Sequence, residues 1–424
     1  MNAIFFWIVA MSFGVAGYRQ IAAPADMAPG TSPMEVLGIG MIDGAGSAVT
    51  LAIGLIGVMT LFLGLMKVAE AGGLLAVIAK TLRPLLVRLF PDVPADHPAM
   101  GAMIMNLSAN ALGLGNAATP FGIRAMQQLD RLNPVKGTAT NAMVLFLAIN
   151  TSSVTILPTG VIALRAAAGS ADPAGIVPTT LFATICSTTI AIVGAKLYCR
   201  FFPGGKSDPS ADPEADDATT DEETGAYPLW ISVTALACIA AMIPATVFWG
   251  RAIAPWIVPG LMMAFLGYGL AKKVPVYEVF VEGAKDGFQV AIKIIPYLVA
   301  ILTAVAMFRA SGAMELILTP LGALTAHIGL PGEALPMALL RPLSGSGAYG
   351  ILAAVINDPN IGPDSLTGYI VSTLQGSTET TFYVIAVYFG AVQIKRLRHA
   401  LWAALTADLV GVAAAVFICN LIYG

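Results

Sequence analysis

The sequence predicts an all-α polytopic membrane protein built from two inverted repeats. Three observations predict it. Only 11% of the 424 residues are charged and 57% are hydrophobic, whereas a soluble domain carries roughly 25% charged residues. Several apolar stretches approach or exceed the roughly 20 residues that cross a bilayer. The same ordered series of features also occurs twice, on either side of an acidic stretch.

Candidate spanning helices are 2–17, 46–66, 139–157, 176–197, 229–248, 254–270, 290–308, 365–387 and 401–422, about nine in all. The segment Met1 to Gly17 lacks a basic leader and reads as a first membrane helix, not a cleaved signal. Stretches 99–118 and 333–355 are apolar but crowded with Gly, Asn, Ser and Pro, so both are expected to be re-entrant hairpins. Residues 201–227 are rich in Pro, Asp, Glu, Ser and Thr and cannot bury apolar surface. They divide the chain into a first half, 1–200, and a second half, 228–424, and are expected to be a solvated cytoplasmic linker.

The repeat is read from five matched features in the same order. Glu35 precedes Asp43-Gly44 by eight residues, as Glu278 precedes Asp286-Gly287. A glycine-bearing turn follows each span, Ala71-Gly72-Gly73 or Ser311-Gly312. Arg83-Pro84-Leu85 then matches Thr319-Pro320-Leu321, and Leu107-Ser108-Ala109 matches Leu343-Ser344-Gly345. Last comes a span interrupted by polar residues, 150–155 or 375–380. Each copy holds three spans and one hairpin. One span precedes the first copy and two separate the copies, so the second copy begins on the opposite face, a common plan of secondary transporters.

The basic residues give an independent test. One face receives Lys67, Lys80, Arg83, Arg88, Arg124, Arg131, Lys136, Lys196, Arg200, Lys206, Lys272, Lys273, Lys285, Lys395, Arg396 and Arg398; the other receives Arg19, Arg165, Arg251 and Arg309. By the excess of positive charge on cytoplasmic loops, the N-terminus is expected inside and the C-terminus outside.

Polar groups inside apolar segments need partners, from the protein or from a bound solute. The first hairpin supplies Asn106, Ser108, Asn110 and Asn116, and the first broken helix supplies Asn150, Thr151, Ser152, Ser153 and Thr155. The second hairpin supplies Arg341, Ser344 and Ser346, and the second broken helix supplies Gln375, Ser377, Thr378, Glu379 and Thr380. Ser, Thr and Asn also serve as plain glue between helices. Arg341 and Glu379 are costly inside a membrane unless paired or functional. Asp43 and Asp286 read as helix-end or interface residues, and Lys293 as a residue that snorkels to the interface. Asn150 faces Gln375, but Val154 stands where Glu379 stands in the second copy. A shared site would therefore combine one carboxylate, one guanidinium and several neutral groups, which suits a small polar or zwitterionic solute better than a bare metal ion.

Other chemistries find little footing. The four cysteines are scattered singly, which indicates neither disulfides nor a zinc site. Pro203 to Ser207 resembles the tail of a phosphate loop, but Arg200 occupies the position of the required glycine. No serine–histidine pair, paired aspartates or histidine-rich set marks a catalytic centre. No cofactor, catalytic residue, metal ligand or nucleic-acid partner is expected, and coupling to Na⁺ or H⁺ is the expected energy source.

The segments MGAMIMNLSANALGLGNAATPFGIRAM (100–126) and NAMVLFLAINTSSVTILPTGVIALRAA (141–167) resemble spore maturation protein A. LLRPLSGSGAYGILA (339–353) and STLQGSTETTFYVIAVYFGAVQIKR (372–396) resemble spore maturation protein B. The resemblance spans nearly all of the chain outside the linker and implies a fusion of the two families. Both sit in a wider group carrying the gate domain of nucleoside and ferrous-iron transporters. It implies hairpins and broken helices meeting at mid-membrane, and a multi-pass protein of the bacterial cytoplasmic (inner) membrane. The expected partners are lipid and a small solute, and a homo-oligomer is compatible. The expected function is secondary active transport of a small polar organic solute, nucleoside-, amino-acid- or small-carboxylate-like. The alternative is a non-transporting membrane protein that organises or regulates envelope or spore maturation functions.

Overall fold

The computed structural model of the chain describes residues 2–23, 28–112, 115–152, 154–202 and 227–424. Most of the acidic linker, 203–226, lies outside these residues, as does Ser153. The described residues are helical throughout, with no strand beyond one isolated bridge between Thr138 and Arg396.

The first half contains α1 (Asn2–Ala22), α2 (Pro33–Ala71), α3 (Leu74–Leu89), the hairpin arms α4 (Pro98–Ala111) and α5 (Gly115–Arg131), the two pieces of a broken helix, α6 (Asn141–Thr151) and α7 (Thr159–Ala167), and α8 (Ile176–Tyr198). After the linker come α9 (Leu229–Ala271), α10 (Val276–Ala310), α11 (Ala313–Ala326) and the second hairpin, α12 (Leu335–Leu340) with α13 (Gly345–Ile356). A second broken helix, α14 (Leu366–Ser377) and α15 (Thr381–Ala391), precedes α16 (Ala400–Tyr423). Hairpin, break and final helix therefore recur in the same order in both halves. Local chemistry sets the boundaries. Ser32 and Glu35 form a capping box ahead of Pro33 at the start of α2, and Thr140, Ser344 and Ser365 accept backbone N–H bonds as N-caps of α6, α13 and α14. Gly73 and Gly312 take positive φ just before α3 and α11, equivalent turns in the two halves.

Several expected boundaries change. The span expected at 46–66 extends to the 39-residue α2, and the span at 290–308 belongs to the longer α10. By length and composition, three stretches among the described residues suffice to cross a membrane: Pro33–Ala71, Ile176–Phe201 and Ala400–Tyr423. The two spans expected at 229–248 and 254–270 form a single helical segment, α9. A straight helix of 43 residues would be about 64 Å long. Yet Tyr227, just before it, donates its N–H to Lys80 C=O on α3, while Gly269 and Tyr268 at its far end pack on Val68 and Gly72. Those anchors are separated only by the last turn of α2 and the first two turns of α3, roughly 20 Å. The segment therefore doubles back on itself, and Gly250 and Pro255 lie in its middle.

The two halves interlock along two seams. The first is α2 against α10, running antiparallel: Gly40 and Gly44 face Ala306 and Ala310, while Gly64 faces Phe280 and Gly283 faces Leu63 and Lys67. A Cβ on Gly44 would meet Ala306 Cβ at 2.8 Å and Leu302 O at 3.0 Å; one on Gly287 would meet Thr60 Cα at 2.7 Å and Met59 O at 2.8 Å. The paired Asp-Gly signatures of the repeat thus supply equivalent close-approach positions, which bring the backbones together without a buried polar bond. The second seam joins the broken helices and is described below.

Each apolar core draws on both halves. One surrounds the first hairpin and takes Val384, Tyr388 and Phe389 from α15; the other surrounds the second hairpin and takes Val161, Ile162 and Leu164 from α7.

Substituting Ala for Gly287 should lower the unfolding midpoint in detergent, by about 1–3 kcal/mol of stability, because backbone atoms of α2 would have to move. Gly57→Ala on α2 meets open space and should be neutral or slightly stabilising. Equal effects at both positions would refute the close-approach seam. His399, buried beside Phe202 at the start of α16, is pushed down to about 4 by burial and by the neighbouring Arg398. Below about pH 6.5 the unfolded chain takes up a proton that the folded chain refuses. Stability should therefore fall as pH drops from about 6.5 to about 4, by up to about 3 kcal/mol, and level off below. His399→Gln should flatten that part of the pH profile of thermal unfolding.

Candidate functional site

α6 stops at Thr151 and α14 at Ser377, and the chain resumes helix only at Thr159 as α7 and at Thr381 as α15. The peptide groups freed by each break need partners if no water is present. Glu379 N–H in the second break donates to Thr151 C=O at the first, at 3.1 Å. Ile156 N–H donates to Ala111 C=O at the tip of the first hairpin (3.0 Å), and Phe382 N–H donates to Pro342 C=O at the tip of the second (3.2 Å). Each break is thus tied to its own hairpin and to the opposite break.

The broken helices run antiparallel, and arginines lock both ends of the crossing. Arg165 at the end of α7 has no exposed surface and reaches the start of α14. It donates to Pro363 C=O (2.6 Å) and Ser372 Oγ (3.3 Å), pairs with Asp364 (2.9 Å), and lies 4.3 Å from the centre of the Tyr369 ring. At the other end, Arg398 after α15 donates to Ala139 C=O (3.1 Å) and Asn141 Oδ1 (2.9 Å) at the start of α6. Lys395 and Arg396 donate backbone N–H bonds to Gly137 C=O nearby. Arg165, counted among the four basic residues of the second face, is buried, with its charge neutralised by Asp364 of the partner repeat.

A cavity of about 810 Å³ opens beside the crossing, between the α2–α10 seam and the two hairpins. Asn110, Thr155, Gln375, Arg341, Glu379 and Thr380 of the sequence candidates line it. Asn110 Nδ2 donates to Asn150 Oδ1 at 2.9 Å, so the first half presents an amide pair. In the second half, Arg341 donates to Thr380 Oγ1 at 3.0 Å and lies 3.7 Å from Glu379 Oε2. Arg341 is nearly buried while the Glu379 side chain is half exposed, so the cavity meets mainly the carboxylate. Gln375 Oε1 and Arg341 Nε are buried with no hydrogen-bond partner. Gly345 leaves room there, since a Cβ on it would lie 2.8 Å from Thr380 Oγ1. Lys67 and Glu70 form a partly exposed ion pair at the wall (3.4 Å).

The remaining candidates sit behind this wall. Ser108, Thr151, Ser152, Ser377 and Thr378 are buried, and their hydroxyls return to C=O groups one turn back in their own helices. They serve helix packing. Asn106 supports Asn150 from behind, donating to Ala118 C=O (2.8 Å) and Tyr388 Oη (3.1 Å), while Tyr388 donates to Asn150 Oδ1 (3.4 Å). Ser344 caps α13, and Ser346 lies on α13 outside the cavity lining. Ser153 and the side chains of Asn116 and Lys293 lie outside the described residues.

Other lining residues were not in the sequence-derived set. Asp286 is not a helix-end residue: it stands ten residues into α10, lining the cavity together with Gln289 and with Tyr349 of α13. Behind the second break, Asp408 of α16 accepts a bond from Thr381 Oγ1 at 2.6 Å. An acidic residue inside an apolar 24-residue segment was a signal in the sequence itself. Among the described residues no group of three or more His, Cys, Asp or Glu is placed to hold a metal ion.

The family profile described as "Gate: Nucleoside recognition" matches residues 52–168 and 291–395, just over half of the chain, and contains both hairpins and both breaks. Spore maturation protein B of Bacillus subtilis (strain 168) is 47% identical over 173 residues, 41% of this chain and 94% of that protein. Spore maturation protein A of the same organism is 48% identical over 162 residues, 38% of this chain and 81% of that protein. A solved structure described as CNTnw in an inward-facing substrate-bound state aligns with 99% of this chain and 89% of its own, at TM-score 0.44 and 15% identity. The chain belongs to the nucleoside-recognition gate family, and its two halves are homologous to spore maturation proteins A and B, as in a fusion of the two.

Proposed function

We propose that the chain is a secondary active transporter of a small polar organic solute, and that the cavity beside the helix crossing is its solute site. One observation carries this reading: two antiparallel broken helices and their hairpins converge on a single cavity of about 810 Å³, a size typical of small-molecule sites. An amide pair, Asn110–Asn150, stands on one side, and an ionic pair, Arg341–Glu379, on the other. A nucleoside-, amino-acid- or small-carboxylate-like solute would find hydrogen-bond donors and acceptors from the first and charge from the second. Gln375 lines the cavity beside the ionic pair, with its Oε1 buried and without a hydrogen-bond partner.

In this reading the protein is a carrier and not an enzyme, crosses the bacterial inner membrane about nine times with the N-terminus inside, and couples solute flux to Na⁺ or H⁺. The antiparallel course of α2 against α10 and the doubled-back α9 support oppositely oriented copies. The relatives' names favour a second reading, a membrane protein that acts in spore maturation or envelope organisation without moving solute.

Reconstitution in liposomes separates the two. Labelled nucleosides, amino acids and small carboxylates are screened under imposed Na⁺ and H⁺ gradients, and at least one should accumulate saturably. Silence across the whole panel, with no solute raising the melting temperature, would sink the carrier. Glu379→Gln should reduce gradient-driven uptake at least about 10-fold, as expected for loss of a charge-assisted contact. Asn110→Ala should weaken apparent affinity by about 1 kcal/mol, roughly 5-fold, while leaving gradient coupling intact. A Glu379→Gln variant with unchanged coupling would remove that carboxylate from the mechanism.

A further inference from the structure

Asp408 lies on α16 at 4% exposure, at the back of the second break. Oδ2 accepts the Thr381 hydroxyl at 2.6 Å, and Oδ1, equally buried, has no partner. Among the described residues no ion pair reaches this carboxylate. An ionised carboxylate held by one hydroxyl inside an apolar helix bundle is costly, and neutralisation by a proton removes that cost.

The surroundings connect Asp408 to the cavity. Glu379, Thr380 and Thr381 are consecutive. The first faces the cavity and pairs with Arg341, the second accepts a bond from Arg341, and the third bonds Asp408. Arg341 is the cation held by the two residues that precede Thr381. Its two terminal nitrogens are engaged by Thr380 and Glu379, so it gives Asp408 no direct ion pair. The other elements packed on α16 turn neutral groups toward this point: Ser187 of α8 donates to Ala407 C=O, and Thr378 packs against Gly411. Of ionisable residues, α6 has none, α14 has only Tyr369, α15 has Tyr383 and Tyr388, and α8 has Cys186, Lys196 and Tyr198, whose hydroxyl lies 3.1 Å from Thr406 Oγ1 on α16.

We infer that Asp408 is a proton-binding site, linked through Thr381, Thr380 and Arg341 to the carboxylate that faces the solute cavity. The proton comes from water and returns to it, and no bond other than O–H forms or breaks. When Arg341 is held by Glu379, Asp408 is neutral. A solute that takes Glu379 for itself frees the guanidinium to favour ionised Asp408, and the proton leaves. This deepens the carrier reading by naming the group that takes the coupling proton. It depends on that reading for the coupling, not for the proton.

The test is infrared difference spectroscopy of the full chain in liposomes, titrated from about pH 8 to about pH 5. The wild type should gain a protonated-carboxyl C=O band that Asp408→Asn lacks and Asp408→Glu retains at a displaced frequency. Thr381→Val, which deletes the bond to the ionised form, should move the midpoint up by about one pH unit, a tenfold change in proton affinity. Glu379→Gln, which frees Arg341, should move it down. Spectra of Asp408→Asn and wild type that coincide throughout overturn the proton site. A band suppressed by sodium at constant pH overturns it in favour of a sodium site. A midpoint unmoved in Glu379→Gln overturns the link. A titrating band in a protein that moves no solute leaves the site standing and defeats only the carrier reading.

Discussion

The fold depends on one constraint: two helices are interrupted midway, and the peptide groups freed by each break need partners. The backbone bond from Glu379 to Thr151 satisfies one such group and fixes the two breaks at the same level. Arg165 and Arg398 then hold the ends, each gripping the start of the other repeat's broken helix. Because the grip is reciprocal, the antiparallel relation of the halves is set at three separate heights. The hairpins, tied to the breaks by Ala111 and Pro342, are carried into place by the same crossing.

Symmetry of backbone coexists with asymmetry of chemistry. Val154 occupies in the first break the place of Glu379 in the second, and Asn110 the place of Ser346 in the hairpins. The first break and hairpin therefore present amides and the second an ion pair, with Lys67 and Glu70 of α2 adding a further pair at the wall. Asp408 adds a buried carboxylate behind the second break, reached through the first residue of α15. At the hairpins and breaks the ionic pair belongs to the second half, while the first supplies amides braced from behind by Asn106 and Tyr388.

Much of this architecture was legible in the residues. Gly, Pro and clustered polar side chains announced the hairpins and breaks, because such residues cannot continue an apolar helix unaided. The repeated Asp-Gly signature pointed to equivalent positions, and Gly44 and Gly287 do occupy matching places on the seam. What composition could not reveal is the direction in which a side chain turns. Ser108, Ser377 and Thr378 look like ligands in a string of letters, yet each spends its hydroxyl on its own helix. Asp286 lies well inside α10, which begins at Val276, whereas hydropathy alone puts the start of that span at residue 290. Arg165 was assigned to a loop because a single chain segment does not reveal a partner about 200 positions away.

The composition of the two cores bears on how such a protein can be inherited. Each core is completed by apolar side chains from the opposite half, and both arginine grips reach across. Neither half carries a finished interior. The relatives homologous to each half are separate polypeptides, which would have to find one another at whatever concentrations the cell makes them. Joining them makes that encounter intramolecular, at an effective concentration set by the tether and not by expression. It also enforces equal numbers of the two parts, so an orphaned half with an open interior never has to be cleared from the membrane.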